Sequence, residues 1–104
     1  MWKMYVLSCA DKSFYCGITT DLARRINEHN GAVRKKGAKY TRARRPVILF
    51  YEEDHPDRSS ASKAEAAFKK LTRNQKIKYM EDQVTARYEK EMKDYQSRLD
   101  DEQT

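Results

Sequence analysis

The chain has 104 residues, a length that fits one domain and leaves little room for a second independent core. Hydrophobic residues make up 38% and charged residues 37%, and no apolar run approaches the ~18 residues that cross a bilayer. The composition therefore predicts no membrane partner, and three glycines with two prolines exclude a collagen-like or Pro/Gly-rich chain.

The net charge of +6 hides an asymmetry between the two ends of the chain. Residues 1–80 carry 18 basic and 8 acidic side chains, whereas residues 81–104 carry 4 basic and 8 acidic ones. A basic body is typical of a polyanion binder, because Lys and Arg that neutralise phosphates release condensed counterions. The alternative interpretation is a soluble basic protein whose charge serves no polyanion binding.

The two cysteines predict no metal site and no disulfide framework. Cys9 and Cys16 lie in apolar stretches, and the two histidines are not at metal-ligand spacing from them. We expect reduced, buried thiols in a bacterial cytoplasmic protein. The first twelve residues contain no small-residue cleavage signal, so the sequence predicts no secretory signal peptide.

The first third of the chain predicts a β-hairpin followed by a helix. Residues 2–8 and 14–19 are β-prone runs joined by a short polar turn. Thr20 or Asp21 can cap an amphipathic helix of about ten residues, which ends at the Asn-Gly pair of residues 30–31.

The middle of the chain predicts a basic loop, a strand and a second helix. Residues 31–45 contain seven basic residues, no acidic residue and no apolar periodicity, so we expect an exposed loop. The continuously apolar residues 46–51 predict a strand at the centre of a sheet. Ser59, Ser60 or Ser62 then caps a helix. The predicted apolar stripe of that helix is Ala64, Ala67, Phe68 and Leu71.

The end of the chain predicts a charged helix appended to the domain. Thr72 caps a short helix, and a separate helix follows from Val84 onward. Its narrow apolar stripe consists of Val84, Tyr88, Met92, Tyr95 and Leu99. We expect this helix to dock on the domain or to pair with a second copy through residues 84–99. The predicted boundaries are a domain at 1–82 and a helical tail at 83–104.

Two tripeptides, two helices and a linker carry a family resemblance. Met4-Tyr5-Val6 and Tyr15-Cys16-Gly17, ten residues apart, resemble the paired tripeptides of the GIY-YIG nuclease superfamily. Leu22, followed after three positions by Arg25 and after four more by His29, resembles the family's third element. Residues 37–41 and 44–46 resemble the linker of the small stand-alone bacterial members, and residues 62–71, which include Glu65, resemble the helix that carries the family's metal-binding Glu. The likeness covers residues 3 to about 80 and is nearest to the small stand-alone bacterial members, which are similar to excision-repair nucleases.

The resemblance implies an α/β fold in which a small three-stranded, mainly antiparallel sheet is flanked by helices. It implies a hydrolase: a metal-dependent DNA endonuclease acting on branched, nicked or damaged DNA, in repair or recombination. One Mg²⁺ or Mn²⁺ would be the cofactor, with no small-molecule cofactor. Two alternatives stay open, namely a domain of this fold that binds DNA without cutting it, and an interaction protein that acts through its C-terminal helix.

The resemblance also implies the site residues. Tyr5 and Tyr15 would activate and position water, and Arg25 would hold the phosphate with its planar fork. His29 would accept or relay the proton. Glu65 would bind the metal, since Mg²⁺ keeps several waters and needs only one or two carboxylates. Asn74 is the candidate for the family's late Asn. Taken singly, each residue has an ordinary structural interpretation as strand aromatic, solvated helix face or surface acid.

The basic segment would track a nucleic-acid backbone and place it over the site. Its tyrosine could stack on an exposed base. The predicted DNA-binding residues are Arg24, Arg34, Lys35, Lys36, Lys39, Tyr40, Arg42, Arg44 and Arg45. The sequence contains no base-reading motif, so we expect little sequence specificity.

Overall fold

The computed structural model describes residues 1–32 and 36–103. The chain divides into two compact units, Met1–Lys70 and Leu71–Thr104. In chain order the elements are β1 (Trp2–Ser8), β2 (Phe14–Thr19), α1 (Leu22–His29), α2 (Lys39–Arg42), β3 (Ile48–His55), α3 (Arg58–Lys69) and α4 (Arg73–Gln103). Among the described residues, no helix combines the length and the apolar composition that a membrane span needs.

The three strands form one antiparallel sheet in the order β2-β1-β3, which confirms the predicted fold class. The central strand β1 places Tyr5 opposite Gly17 of β2 and opposite Glu52 of β3. Residues 4–7 of β1 are all buried. Since neighbouring residues of a strand point to opposite faces, both faces of the sheet are covered at this strand.

The prediction that residues 46–51 form the central strand is wrong. β3 spans Ile48–His55 and lies at an edge of the sheet, and its first three residues are exposed. The pairing register between β1 and β3 shifts between Val6 and Leu7, which marks a β-bulge or a similar irregularity. A short apolar run does not reveal the position of its strand in a sheet, because strand order depends on the packing of the whole unit.

Helices cover the two faces of the sheet. Tyr5 and Leu7 share one face by alternation and pack in a cluster with partly buried residues of α1. Trp2 lies on the other face, and its ring is 5.6 Å from the guanidinium of Arg58 at the start of α3. Helix α3 contacts all three strands. The side chains of Tyr5 and its neighbours on that face are therefore separated from α3 by the sheet.

Aspartates cap the N-termini of α1 and α3. The Asp21 carboxylate accepts the Arg24 N–H at 3.1 Å, which selects Asp21 over Thr20 as the cap of α1. Asp57 accepts the Ser60 N–H at 2.8 Å, so the predicted serine cap of α3 is wrong. A carboxylate interacts more strongly than a hydroxyl with the positive end of the helix dipole.

The predicted loop at residues 31–45 is not featureless. Four of its residues form α2, Lys39–Arg42, and Thr41 within that helix is fully buried. A helix of one turn contains too few residues to produce an apolar periodicity, so the sequence carries no signal for it. The predicted DNA-binding residues Arg34 and Lys35 lie outside the described residues.

The second unit is formed by α4, a single helix of 31 residues. At its start the side chain of Thr72 accepts the Gln75 N–H at 3.3 Å, and the Gln75 side chain accepts the Thr72 N–H at 2.9 Å, which confirms the predicted cap. The expected break before Val84 is absent because no Gly or Pro interrupts the segment. The boundary at 82/83 and self-association through 84–99 stay predictions.

Both cysteines are buried thiols, as the sequence predicts. Cys16 faces the Met4 thioether, with 3.2 Å between the two sulfur atoms. Cys9 belongs to the apolar cluster around Tyr5. Both cysteines therefore act as small core residues of the first unit.

Candidate active site

A buried chain of hydrogen bonds connects β1, α1 and α2. The Tyr5 hydroxyl is 2.9 Å from Nε2 of His29, and Nδ1 of His29 is 2.8 Å from the Thr41 hydroxyl. All three side chains are at most 1% exposed. The structure thus brings the predicted residues Tyr5 and His29 together. Sequence reasoning assigned no role to Thr41, because a single threonine within a basic segment does not reveal its partners.

Arg25 lies beside this chain of hydrogen bonds, and neighbouring groups fix its guanidinium. Its positive charge lies near the Tyr5 hydroxyl and lowers the pKa of that group, against the larger effect of burial. One guanidinium nitrogen also donates to the Lys36 carbonyl at 2.6 Å and lies 3.5 Å from the Glu28 carboxylate. The Arg25 side chain is 28% exposed, against 67% for its neighbour Arg24. Arg25 is therefore a fixed guanidinium that still has an open side, a suitable binder for a phosphate oxygen pair.

Burial decides the protonation of the two groups in the chain. It raises the pKa of Tyr5 to about 12, although the nearby Arg25 guanidinium acts in the opposite direction. It lowers the pKa of His29 to about 4, and the positive charge of Arg25 adds to that effect. At neutral pH Tyr5 retains its proton and His29 is uncharged. These surroundings favour a role for His29 in holding Tyr5 over the predicted proton transfer.

Tyr15 is the partly exposed tyrosine of the pair. It lies on β2 opposite Leu7 of β1, on the same sheet face as Tyr5. Its ring centre is 4.9 Å from that of His29. The ring of Tyr40 is stacked with the Tyr15 ring, with 6.1 Å between the ring centres. Tyr15 contacts the buried His29 ring, and its own side chain is partly exposed. It is therefore better placed than Tyr5 to contact a solvent molecule.

Gly17 provides the space that the Tyr5 hydroxyl occupies. A Cβ atom added to Gly17 would lie 2.5 Å from the hydroxyl oxygen and 2.6 Å from the ring carbon that bears it. Both distances are well below ordinary contact. The glycine of the second tripeptide is therefore needed for close approach across the hairpin rather than for an unusual backbone angle.

Glu65 lies on the sheet-facing side of α3. Ala61 and Phe68 are buried, and the spacing of four and three residues puts Glu65 on the same side of the helix as both. Its side chain is only 25% exposed, and its carboxylate is 3.4 Å from the Lys69 ammonium. Ala67 of the predicted stripe is exposed instead. A glutamate placed only for solubility would lie on the outward side of this helix.

The donor set fits a hydrated divalent ion rather than one enclosed by protein. The described residues contain no group of three or more His, Cys, Asp or Glu side chains that could hold a metal together. Glu65 offers a single hard carboxylate. Mg²⁺ commonly keeps several waters and is held by one or two carboxylates together with substrate phosphates. Glu65 could therefore hold Mg²⁺ or Mn²⁺ in the presence of a phosphodiester.

The predicted DNA-binding cations fall into two groups. Arg44 pairs with Asp11 at 3.0 Å, and Arg45 donates to the His29 carbonyl at 2.5 Å, so both stabilise the local fold. The others that the structure describes are exposed: Arg24, Lys36, Lys39 and Arg42.

Helix α2 borders an open depression of about 690 Å³. Its lining residues are Lys39, Tyr40, Arg42, Ala43 and Arg44. Within it the Arg44 guanidinium lies 3.8 Å from the centre of the Tyr40 ring.

Asn74, the candidate for the family's late Asn, is an exposed residue in the first turn of α4 in the second unit.

The depressed pKa of His29 predicts an acid-sensitive fold. Unfolded His29 binds a proton near pH 6.5 and the folded residue only near pH 4, so the unfolded state binds more protons between these values. The free energy of unfolding should fall as the pH is lowered through that window, by up to about 3 kcal/mol. Urea unfolding at several pH values measures it. A His29→Asn variant should show a much shallower dependence, and equal slopes would contradict the assignment.

Comparisons with known proteins give one consistent result. The family model of the GIY-YIG catalytic domain matches residues 1–79. A UPF0213 protein of Streptococcus sanguinis is 51% identical over 81 residues, which cover 78% of this chain and 90% of that protein. One of Enterococcus faecalis is 58% identical over 78 residues, covering 73% and 85%. A solution NMR structure of an E. faecalis protein, 50% identical, superimposes with a TM-score of 0.57 over 80% of this chain and 85% of that one.

Proposed function

The chain belongs to the GIY-YIG family, and from this membership we propose that it is a metal-dependent endonuclease that hydrolyses phosphodiester bonds of DNA. The proposed substrates are branched, nicked or damaged DNA. The observation that carries the proposal is the guanidinium of Arg25, which the Lys36 carbonyl and the Glu28 carboxylate fix near the buried Tyr5 and which stays partly exposed. An arginine placed only for solubility would not be fixed by a backbone carbonyl and a carboxylate in this way.

Arg25 would bind the scissile phosphate. Its guanidinium has five N–H donors, and the contacts with Lys36 and Glu28 use only some of them. A donor that is already oriented stabilises charge developing on phosphate oxygens without reorganising during the reaction. In this proposal Tyr5 supports Arg25 from the buried side and does not touch the substrate.

Tyr15 and Glu65 would complete the site. Tyr15 would position the attacking water, with its ring packed against the neutral ring of His29. Glu65 would hold the divalent ion, which supplies Lewis-acid stabilisation of the phosphate and the leaving oxygen when bound. The edge strand β2 carries Tyr15 on one face and contacts α3 on the other, so a substrate bound at this edge faces both elements.

The test is a cleavage assay with end-labelled branched, nicked, single-stranded and intact duplex DNA. Each substrate is incubated with the protein in Mg²⁺, in Mn²⁺ and in EDTA. We expect cleavage that requires a divalent ion and is faster on the interrupted structures. Salt-sensitive binding with no cleavage of any substrate would instead select a DNA-binding module of the same fold.

Two adjacent arginines offer a matched pair of variants. Arg25→Ala should slow cleavage about a hundredfold, the usual cost of losing one oriented donor to the transition state. Arg24→Ala removes the same charge from the same helix one residue away, at a side chain that is mostly exposed. It should weaken DNA binding at higher salt and leave the maximal rate nearly unchanged. Equal losses in the two variants would show that Arg25 contributes only charge.

A further inference from the structure

The hydrogen-bond chain of the candidate site contains a residue to which neither the family resemblance nor the proposed chemistry assigns a role. Thr41 is completely buried, and its hydroxyl oxygen has two close neighbours. One is the carbonyl oxygen of Ala38 at 3.0 Å, and the other is Nδ1 of His29 at 2.8 Å. A buried hydroxyl with two partners of different chemistry imposes a direction on both bonds.

The direction follows from the one hydrogen that the hydroxyl carries. A carbonyl oxygen only accepts, so Thr41 donates to Ala38. The lone pairs of the Thr41 oxygen then face Nδ1 of His29, which must carry the ring proton and donate it. Neutral His29 has only one ring proton, and Nε2 is left as the acceptor of the Tyr5 hydroxyl hydrogen.

One contact opposes this arrangement, and distance decides against it. The Ala38 N–H points toward Nδ1 of His29 at 3.5 Å, which would require the opposite tautomer. That separation is at the outer limit for a hydrogen bond, whereas the Thr41 contact is 0.7 Å shorter. The Thr41 contact alone fits either tautomer, but the buried Tyr5 hydroxyl needs an acceptor, and Nε2 of His29 is the acceptor it contacts. The Tyr5 hydroxyl and the bond from Thr41 to Ala38 together therefore place the His29 proton on Nδ1.

We infer that Thr41 is a positioning residue of the site: its hydroxyl fixes the proton of His29 on Nδ1, so that Nε2 holds the Tyr5 hydroxyl in one orientation. The oxygen lone pairs of Tyr5 are then available to the Arg25 guanidinium. The effect on cleavage rests on the proposed function, whereas the effect on the tautomer does not depend on it.

Loss of the Thr41 hydroxyl would reverse the bonds along the chain. In a Thr41→Val variant, Nδ1 of His29 keeps only the Ala38 N–H as a partner and becomes an acceptor. The proton moves to Nε2, which then donates to Tyr5. The Tyr5 hydroxyl hydrogen must turn away from His29, toward the side where Arg25 lies, and competes there with the guanidinium donors. Arg25 loses an acceptor that orients it.

The first measurement is the tautomer of His29 in the full-length protein without DNA. A two-bond ¹H–¹⁵N correlation spectrum of the imidazole rings shows which nitrogen carries the proton. The chain has two histidines, so His55 serves as an internal control. We expect Nδ1–H for His29 in the wild type and in Thr41→Ser, and a shift to Nε2–H in Thr41→Val. An Nε2–H tautomer in the wild type would overturn the inference without any variant.

The second measurement is the cleavage rate of the same three proteins under saturating DNA. Thr41→Val should lower kcat about ten- to a hundredfold, the range usual for outer-shell partners, and leave DNA affinity unchanged. Thr41→Ser should retain nearly full activity. A changed tautomer with an unchanged kcat, or an unchanged tautomer in Thr41→Val, would overturn the positioning role. If the wild type cuts no DNA, the proposed nuclease is rejected, and the tautomer alone then decides whether Thr41 fixes His29.

Discussion

Replacement of Glu65 by glutamine is expected to slow DNA cleavage about a thousandfold or more, because Lewis-acid stabilisation is worth several kcal/mol and each 1.4 kcal/mol is tenfold in rate. The amide keeps the shape of the side chain and removes the anionic ligand. The fold should remain, since the ion pair with Lys69 is an i,i+4 contact whose partner is half exposed. Such pairs stabilise by only about 0.3–0.5 kcal/mol.

Lys69→Gln is the matched control for this variant. It breaks the same ion pair and leaves the Glu65 carboxylate in place, so cleavage should continue at nearly the wild-type rate. Cleavage rates are compared over a range of Mg²⁺ and Mn²⁺ concentrations, and DNA binding is measured in parallel. This comparison distinguishes weaker binding of the ion from weaker binding of the DNA. Wild-type cleavage by Glu65→Gln would remove the carboxylate from the mechanism.

Replacement of Gly17 by alanine is expected to lower both stability and cleavage. The new methyl group would lie 2.5 Å from the Tyr5 hydroxyl, and Tyr5 is buried and bonded to His29, so it cannot rotate freely away. Overpacking of this kind costs about 1–3 kcal/mol. Cleavage should fall about a hundredfold, comparable to loss of one oriented donor, because the displaced Tyr5 no longer supports Arg25.

A double-mutant cycle with Tyr5→Phe tests the cause of the Gly17→Ala effect. Tyr5→Phe removes the atom nearest to the new methyl group and frees the ring from His29. Thermal unfolding should show that Gly17→Ala costs less in this background than in the wild type, a direct sign of coupling between the two positions. Equal costs in both backgrounds would place the strain elsewhere.

The β-hairpin and α1 could be predicted from sequence because their signals are local. Residues 2–8 and 14–19 were expected as strands and are strands with those bounds. The cap at Asp21 lies directly before the first apolar residue of the helix. Alternation, turn chemistry and capping each act within a few residues, so the chain order alone contains the information.

The position of β3 and the existence of α2 could not be predicted, because neither depends on local pattern. The apolar residues 48–50 look like a central strand, and they lie exposed at the edge of the sheet. Helix α2 has one turn and follows a basic run. It is held by the buried hydroxyl of Thr41, whose partner on α1 is twelve residues away.

By itself the sequence determined the fold class, the family and the identity of Tyr5, Tyr15, Arg25, His29 and Glu65 as candidate residues, since residue types at fixed spacings carry that information. Only the tertiary structure decided how they differ. Burial separates Tyr5, which keeps its proton, from Tyr15, which is partly exposed. Glu65 is carried by α3, which contacts the edge strand β2 that also carries Tyr15. A hydroxyl from α2 sets the tautomer of His29, because hydrogen-bond direction depends on atoms that only folding brings together.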